Sequence, residues 1–131
     1  MIEIYTDGAC QGNPGPSGIG IYIKKGEERI RLSQFIGQYS NHEAEFIAIL
    51  RGLEYCHHHY PQEIISLRSD SKTAVEAIEK KHSKNNNFYE YVAKINAIAD
   101  TFPHFFIKWI PEKHNNTADQ LAKQAIHNRN D

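Results

Sequence analysis

The apolar spacing of this chain changes character at Asn41, and that change limits the folds open to it. Before it, Ile2, Ile4 and Tyr5 mark a short strand, and IGIYIKK (19–25) and RIRLSQFIG (29–37) alternate apolar and polar residues around Lys25-Gly26-Glu27. Alternation with period two predicts half-buried strands, here a meander of three. After it, Ala44, Ile47, Ala48, Leu50 and Leu53 recur at helical spacing until Pro61. EIISLRSD (63–70) then predicts a strand ending in an acid, and SKTAVEAIEKK a helix starting directly behind it. FYEYVAKINAIADTF (88–102) predicts another helix, HFFIKWIP (104–111) a last strand and NTADQLAKQAI (116–126) a last helix. Three strands followed by alternating helices and strands describe an α/β domain with a mixed sheet, expected to span residues 1–131 without repeat or linker.

Composition removes several classes of function. With 40% apolar and 24% charged residues in 131, the chain can build a core and is neither disordered nor fibrous. No run approaches the roughly 18 apolar residues of a membrane span, and MIEIYTDG lacks a basic region followed by an apolar one. A cytoplasmic protein without membrane contact is expected. Cys10 and Cys56 lack C-x-x-C spacing, so two free thiols are expected in place of a zinc knuckle or a disulfide framework. The net charge of −1 argues against a grip on nucleic acid by bulk positive charge. Polyanions can still be held by local hydrogen bonds, or by metal ions that offset the protein's own carboxylates.

Four acids stand at predicted element ends: Asp7 closing the first strand, Glu45 early in the first helix, Asp70 closing the fourth strand and Asp119 opening the last helix. Crossover helices place successive parallel strands together, so Asp7 and Asp70 are expected side by side. Bare carboxylates so arranged repel, and a shared proton or divalent cations relieve them; oxygen-only ligands select hard ions such as Mg²⁺ or Mn²⁺. Singly, each acid has a plain explanation, since the helix dipole favours acids in a first turn. Their joint occurrence is what requires another reading.

The flanking patterns are T-D-G-A-C-x-G-N-P-G at 6–15, N-H-E-A-E at 41–45, S-D-S at 69–71 and N-x-x-A-D-x-L-A at 115–122. In this order they closely resemble the type 1 ribonuclease H family over nearly the whole chain. The resemblance implies a ribonuclease H-like fold: a five-stranded mixed sheet, three strands antiparallel and then parallel ones, with helices on both faces. It also implies an endonuclease that hydrolyses the RNA strand of RNA/DNA hybrids, leaving 5′-phosphate and 3′-hydroxyl ends. Asp7, Glu45, Asp70 and Asp119 fall on the family's metal-binding acids. Two ions, Mg²⁺ or Mn²⁺, about 4 Å apart would stabilise the attacking and the departing oxygen.

By the same resemblance Cys10, Gly12 and Asn13 belong to a segment that follows the minor groove, where amides and backbone groups read the RNA 2′-hydroxyl. Asn41 matches another such position, Ser40 a hydroxyl that holds a DNA phosphate, and Lys72 a residue in reach of a base or phosphate. His42 stands where the family usually carries Asn or Gln. His114 matches an auxiliary proton donor near the leaving group, with Glu112 as the competing candidate. His57, His58 and His59 point in different directions on a helix and are read as a solvated end. Trp109 with Phe105, Phe106 and Ile110 is read as core and strand packing. The basic, Trp-bearing insertion of some relatives is missing, Lys80, Lys81 and Lys84 being the cations of the short HSKNNNFYEYV segment. A salt-sensitive, distributive monomer is expected, unless another protein supplies the grip. The rival readings are a hybrid-binding module that does not cut, and a nuclease of the same scaffold with another substrate.

Overall fold

The computed structural model describes residues 1–83 and 85–129; Lys84 lies outside the described residues. Strands β1 (Ile2–Cys10), β2 (Gly15–Lys25), β3 (Glu28–Tyr39), β4 (Ile65–Ser69) and β5 (Phe105–Trp109) form one sheet in the order β3-β2-β1-β4-β5. The first three pair antiparallel, and β4 and β5 join parallel to β1. Helix α1 (Asn41–His59) connects β3 to β4, α2 (Lys72–Lys80) and α3 (Asn86–Ala99) connect β4 to β5, and α4 (Asn116–His127) follows β5.

Alternation along the strands decides which residues meet which helices. Ile2, Ile4, Ile19, Ile21, Ile23, Ile65 and Leu67 are buried against Phe46, Ile49 and Leu53 of α1 and the apolar sides of α2 and α3. Each such side chain contributes about 1.5–3 kcal/mol by leaving water. Phe46 ties the helical layer together, its ring centroid lying 5.1 Å from that of Phe88 and 5.9 Å from that of Tyr91. The opposite face is covered at one end by α4, where Gly18 and Gly20 lie so close to the Ala118–Ala122 backbone that a Cβ at either would overlap it.

Two expectations are corrected. β1 does not end at Asp7: its pairing with β2 continues as Gly8↔Ile19, Ala9↔Gly18 and Cys10↔Ser17. Glycine at 8 signals a close helix and not a loop, and the true turn is confined to 11–14, with Gly12 at a φ of 91°. Trp109 is not core packing, being 40% exposed, as Phe106 is at 56%. Phe106 lies on the face of the edge strand β5 opposite Phe105 and Ile107, which pack against the buried layer; Trp109 shares their parity but is the last residue of the strand, beside Asp70 and Lys72. The two cysteines are free, as expected, and no described helix is long and apolar enough to cross a membrane.

Candidate active site

Three carboxylates that are far apart in the chain meet at one end of the sheet. Asp7 comes from β1, Glu45 from the start of α1 and Asp70 from the residue after β4, and one oxygen of each lies within 4.8 Å of the others. Parallel pairing of β1 with β4, ending at Thr6↔Ser69, brings Asp7 and Asp70 together. Beyond that point the β4 side of β1 is open, and the Gly8 N–H donates to Glu45 Oε1 and, at 3.0 Å, to Asp7 Oδ1.

Local sequence holds each acid in place. Ser40 and Glu43 form a reciprocal capping box at the start of α1, satisfying two backbone donors and so setting the direction in which Glu45 emerges. Ser71 caps α2, its Oγ accepting the Ala74 N–H at 3.2 Å, so strand, acid and helix follow without slack. Trp109 Nε1 donates to the Asp70 carbonyl at 3.0 Å. Asn115, buried, donates from Nδ2 to the Thr6 carbonyl at 2.9 Å and to Asp70 Oδ2 at 3.1 Å. Sequence reasoning missed Asn115 as a site residue, although it opens the N-x-x-A-D pattern and was there to be found.

Burial pushes Asp7 from 3.8 up to about 8, with repulsion from Asp70 and Asp119 adding to the shift and a hydrogen bond with Glu45 opposing it. Burial also raises Glu45 well above its ordinary range, helped by Asp7 and opposed by the Gly8 N–H. Metal-free, the cluster therefore retains a proton near neutral pH. A buried, oxygen-only, self-repelling set is consistent with binding of divalent metal, which replaces that proton.

Asp119 lies in the first turn of α4, close enough to Asp7 to act on it by charge and by hydrogen bond. It stands outside the tight trio and pairs with Lys123 at 3.0 Å. His114 and Glu112 lie exposed on a short 3₁₀ turn before α4, and the His114 ring makes no hydrogen bond among the described residues. His57, His58 and His59 are exposed at the end of α1.

Beside the acids, Asn13 Oδ1 accepts the Asn41 N–H at 3.0 Å, which joins the turn at 11–14 to the start of α1. The single Cys10 S–H has the carbonyls of Gly12 and of Tyr39, the latter at 3.1 Å, as alternative acceptors, and so braces that turn. Ser40 serves as the α1 cap, and His42 is exposed with its ring 5.8 Å from that of Phe88. Lys72 Nζ lies 4.8 Å from the centre of the Trp109 ring, next to Asp70.

Known proteins share this arrangement of the chain. A family profile described as "Reverse transcriptase-like" matches residues 5–125. The protein named "Putative hydrolase EbsB" from Enterococcus faecalis is 40% identical over 127 residues, covering 96% of this chain and 94% of its own. A ribonuclease H from Trichodesmium erythraeum is 43% identical over 83 residues, 63% of this chain and 51% of that one. Among solved structures, LC11-RNase H1 in complex with RNA/DNA hybrid superposes with a TM-score of 0.89 at 32% identity, covering 97% of both chains.

Proposed function

The chain belongs to the reverse transcriptase-like family, in its type 1 ribonuclease H-like branch, and on that premise we propose that it is a metal-dependent endonuclease that hydrolyses the RNA strand of RNA/DNA hybrids. The observation that carries the reading is the meeting of Asp7, Glu45 and Asp70 within 4.8 Å beside the linked pair Asn13 and Asn41. The proposal takes the chain as one domain over 1–131, acting as a monomer in the cytoplasm.

Asp7, Glu45 and Asp70, with Asp119 at the rim, are the residues that would hold two Mg²⁺ or Mn²⁺ ions. When bound, the ions supply charge compensation for an attacking water and for the departing 3′ oxygen. Their fit rests on the donor set, which is all carboxylate oxygen and holds an excess proton without them. The Gly8 N–H and the Asn115 amide orient Glu45 and Asp70, so little reorganisation remains when substrate arrives.

Asn13 and Asn41 present exposed amide side chains beside the acids, and an amide both donates and accepts, as a 2′-hydroxyl does. Their tie through Asn13 Oδ1 sets the turn at a defined distance from α1. Cys10 and Gly12 offer backbone groups in the same turn, Ser40 and His42 flank Asn41 for contact with the DNA strand, and Lys72 would reach a base or phosphate. His114, or Glu112 in its place, lies on the turn before Asp119, where it can deliver a proton to a leaving oxygen.

The test offers the protein a labelled hybrid, a DNA duplex, an RNA duplex and single-stranded RNA, each with Mg²⁺, Mn²⁺ or chelator. Cutting confined to the RNA strand of the hybrid is expected. Equal cutting of every substrate would reject the 2′-hydroxyl reading, and binding without cutting under all metal conditions would reject the enzyme.

A further inference from the structure

The face of the sheet that α4 leaves uncovered carries a row of cations and aromatic rings running across all five strands. The strand registers set Arg31 beside Tyr22, Tyr22 beside Tyr5, Tyr5 beside Arg68 and Arg68 beside Lys108. At about 4.8 Å per strand spacing the row spans roughly 19 Å. The rings hold the cations in place: the Arg31 guanidinium lies 5.0 Å from the Tyr22 ring centre, Arg68 5.3 Å from that of Tyr5, and Lys24 Nζ 5.1 Å from Tyr5 and 5.6 Å from Tyr22. Glu3 is taken by Arg68 at 3.1 Å, whereas Lys24, Arg31 and Lys108 have no carboxylate partner among the described residues. On a chain whose net charge is −1, this is a concentration of positive charge that folding alone does not require.

The row is continuous with the acid cluster. Tyr5 lies two residues before Asp7 and Arg68 two before Asp70, hence on the same face. A cavity of about 180 Å³ separates Tyr5, Tyr22 and Lys24 from the 113–118 segment that leads to Asp119. It has room for a phosphate or a sugar, but not for a duplex.

We propose that this open sheet face is a second nucleic-acid surface, which takes the phosphate backbone of a single strand extending from the acid cluster. The inference rests on the hybrid-cleavage reading only for its direction, since charge complementarity to a polyanion stands without it. It supplies a grip from the sheet itself.

The experiment measures binding of a labelled single-stranded RNA by fluorescence anisotropy in chelator, over a salt series, with the wild-type chain and with the double variants R31E/K108E and R31Q/K108Q. Both positions are exposed, and circular dichroism checks the fold. Weakening by about tenfold or more in the charge-reversed variant is expected, less in the neutral one, with the salt slope falling by about 0.7 for each phosphate that is no longer neutralised. Cleavage of a blunt-ended hybrid stays unchanged. Single-strand binding that ignores both variants, that is lost only with Asn41→Ala, or that anionic phosphatidylglycerol vesicles displace at equal charge would overturn the proposal. Charge-dependent strand binding by a chain that cuts no hybrid would instead overturn the enzymatic reading and leave this one standing.

Discussion

The backbone N–H of Gly8 donates to the carboxylate of Glu45, and the Cβ that Gly8 lacks would sit 2.5 Å from the Ala44 carbonyl carbon. The same absence of a side chain lets α1 approach β1 and brings the acid of one into hydrogen-bond reach of the other. Packing and chemistry are coupled at this residue.

Gly8→Ala should therefore damage both. Overpacking against helix backbone costs about 1–3 kcal/mol, and displacing Glu45 by about an ångström costs on the order of 10²-fold in rate. Denaturant unfolding and single-turnover cleavage of a labelled hybrid measure the two losses; a variant with native stability and full activity would break the link between them.

Asp70→Asn keeps the shape and removes a charge from the trio. Losing about 4 kcal/mol of transition-state stabilisation lowers cleavage on the order of 10³-fold, while hybrid binding in chelator persists because Asn13, Asn41 and Lys72 are untouched. Anisotropy and gel assays on one preparation check both halves.

The metal-free protein should lose stability as pH rises from about 4 to about 8. Asp7 has its folded pKa raised from 3.8 to about 8; such an acid contributes stability below its unfolded value, and that contribution is lost as pH rises through the folded one. Thermal melts in chelator across this window should fall, Asp7→Asn should flatten the slope, and Mg²⁺ at pH 8 should restore the wild-type melting temperature. A melt that rises over this window would contradict the cause assigned to the shift.

Asn115→Ala removes the amide that joins β1 to Asp70, leaving the Thr6 carbonyl without that donor at a cost of about 1–3 kcal/mol. Asn115→Asp should be worse for cleavage, since it sets a further negative charge against Asp70 in place of a donor. Chemical denaturation and cleavage rates at fixed Mg²⁺ distinguish the two variants.

Trp109→Ala should cost about 1–2.5 kcal/mol of stability, because it removes a cation–π contact worth about 0.5–1 kcal/mol and the hydrogen bond to the Asp70 carbonyl, worth about 0.5–1.5 kcal/mol. Released from the ring, Lys72 loses its set position, so KM for the hybrid should rise, and Asp70 loses one of its ties, so kcat should fall as well. Steady-state kinetics read both directly.

Period was enough to predict the strand and helix sequence and the mixed sheet, because these are encoded within a few neighbouring residues; the acids stood out by the motifs around them, and folding brings three of them, Asp7, Glu45 and Asp70, into one cluster. The capping Ser40 and Ser71 and the punctuating Pro61 lie in the same local register. What local pattern could not convey was which side of an element a residue would face once neighbours arrived. Trp109 read as core because aromatic residues in a short strand usually are, yet it is the last residue of an edge strand and lies beside Asp70 with 40% of its surface exposed. Gly8 fell beyond the strand end expected at Asp7 because nothing in the sequence announces that α1 will lie against it.

The chain's own order of residues thus determined which groups are available: four carboxylates, two amides beside a turn, and cations at alternate strand positions. Tertiary structure alone decided their company. Parallel pairing of β1 with β4 set Asp7 against Asp70, the closeness of α1 added Glu45, and Asn115 came from far along the chain to fasten them. Strand registers likewise turned scattered Arg and Lys residues into one row. The physical reason is that electrostatic energy depends on separation in space, which folding sets and which sequence distance does not measure.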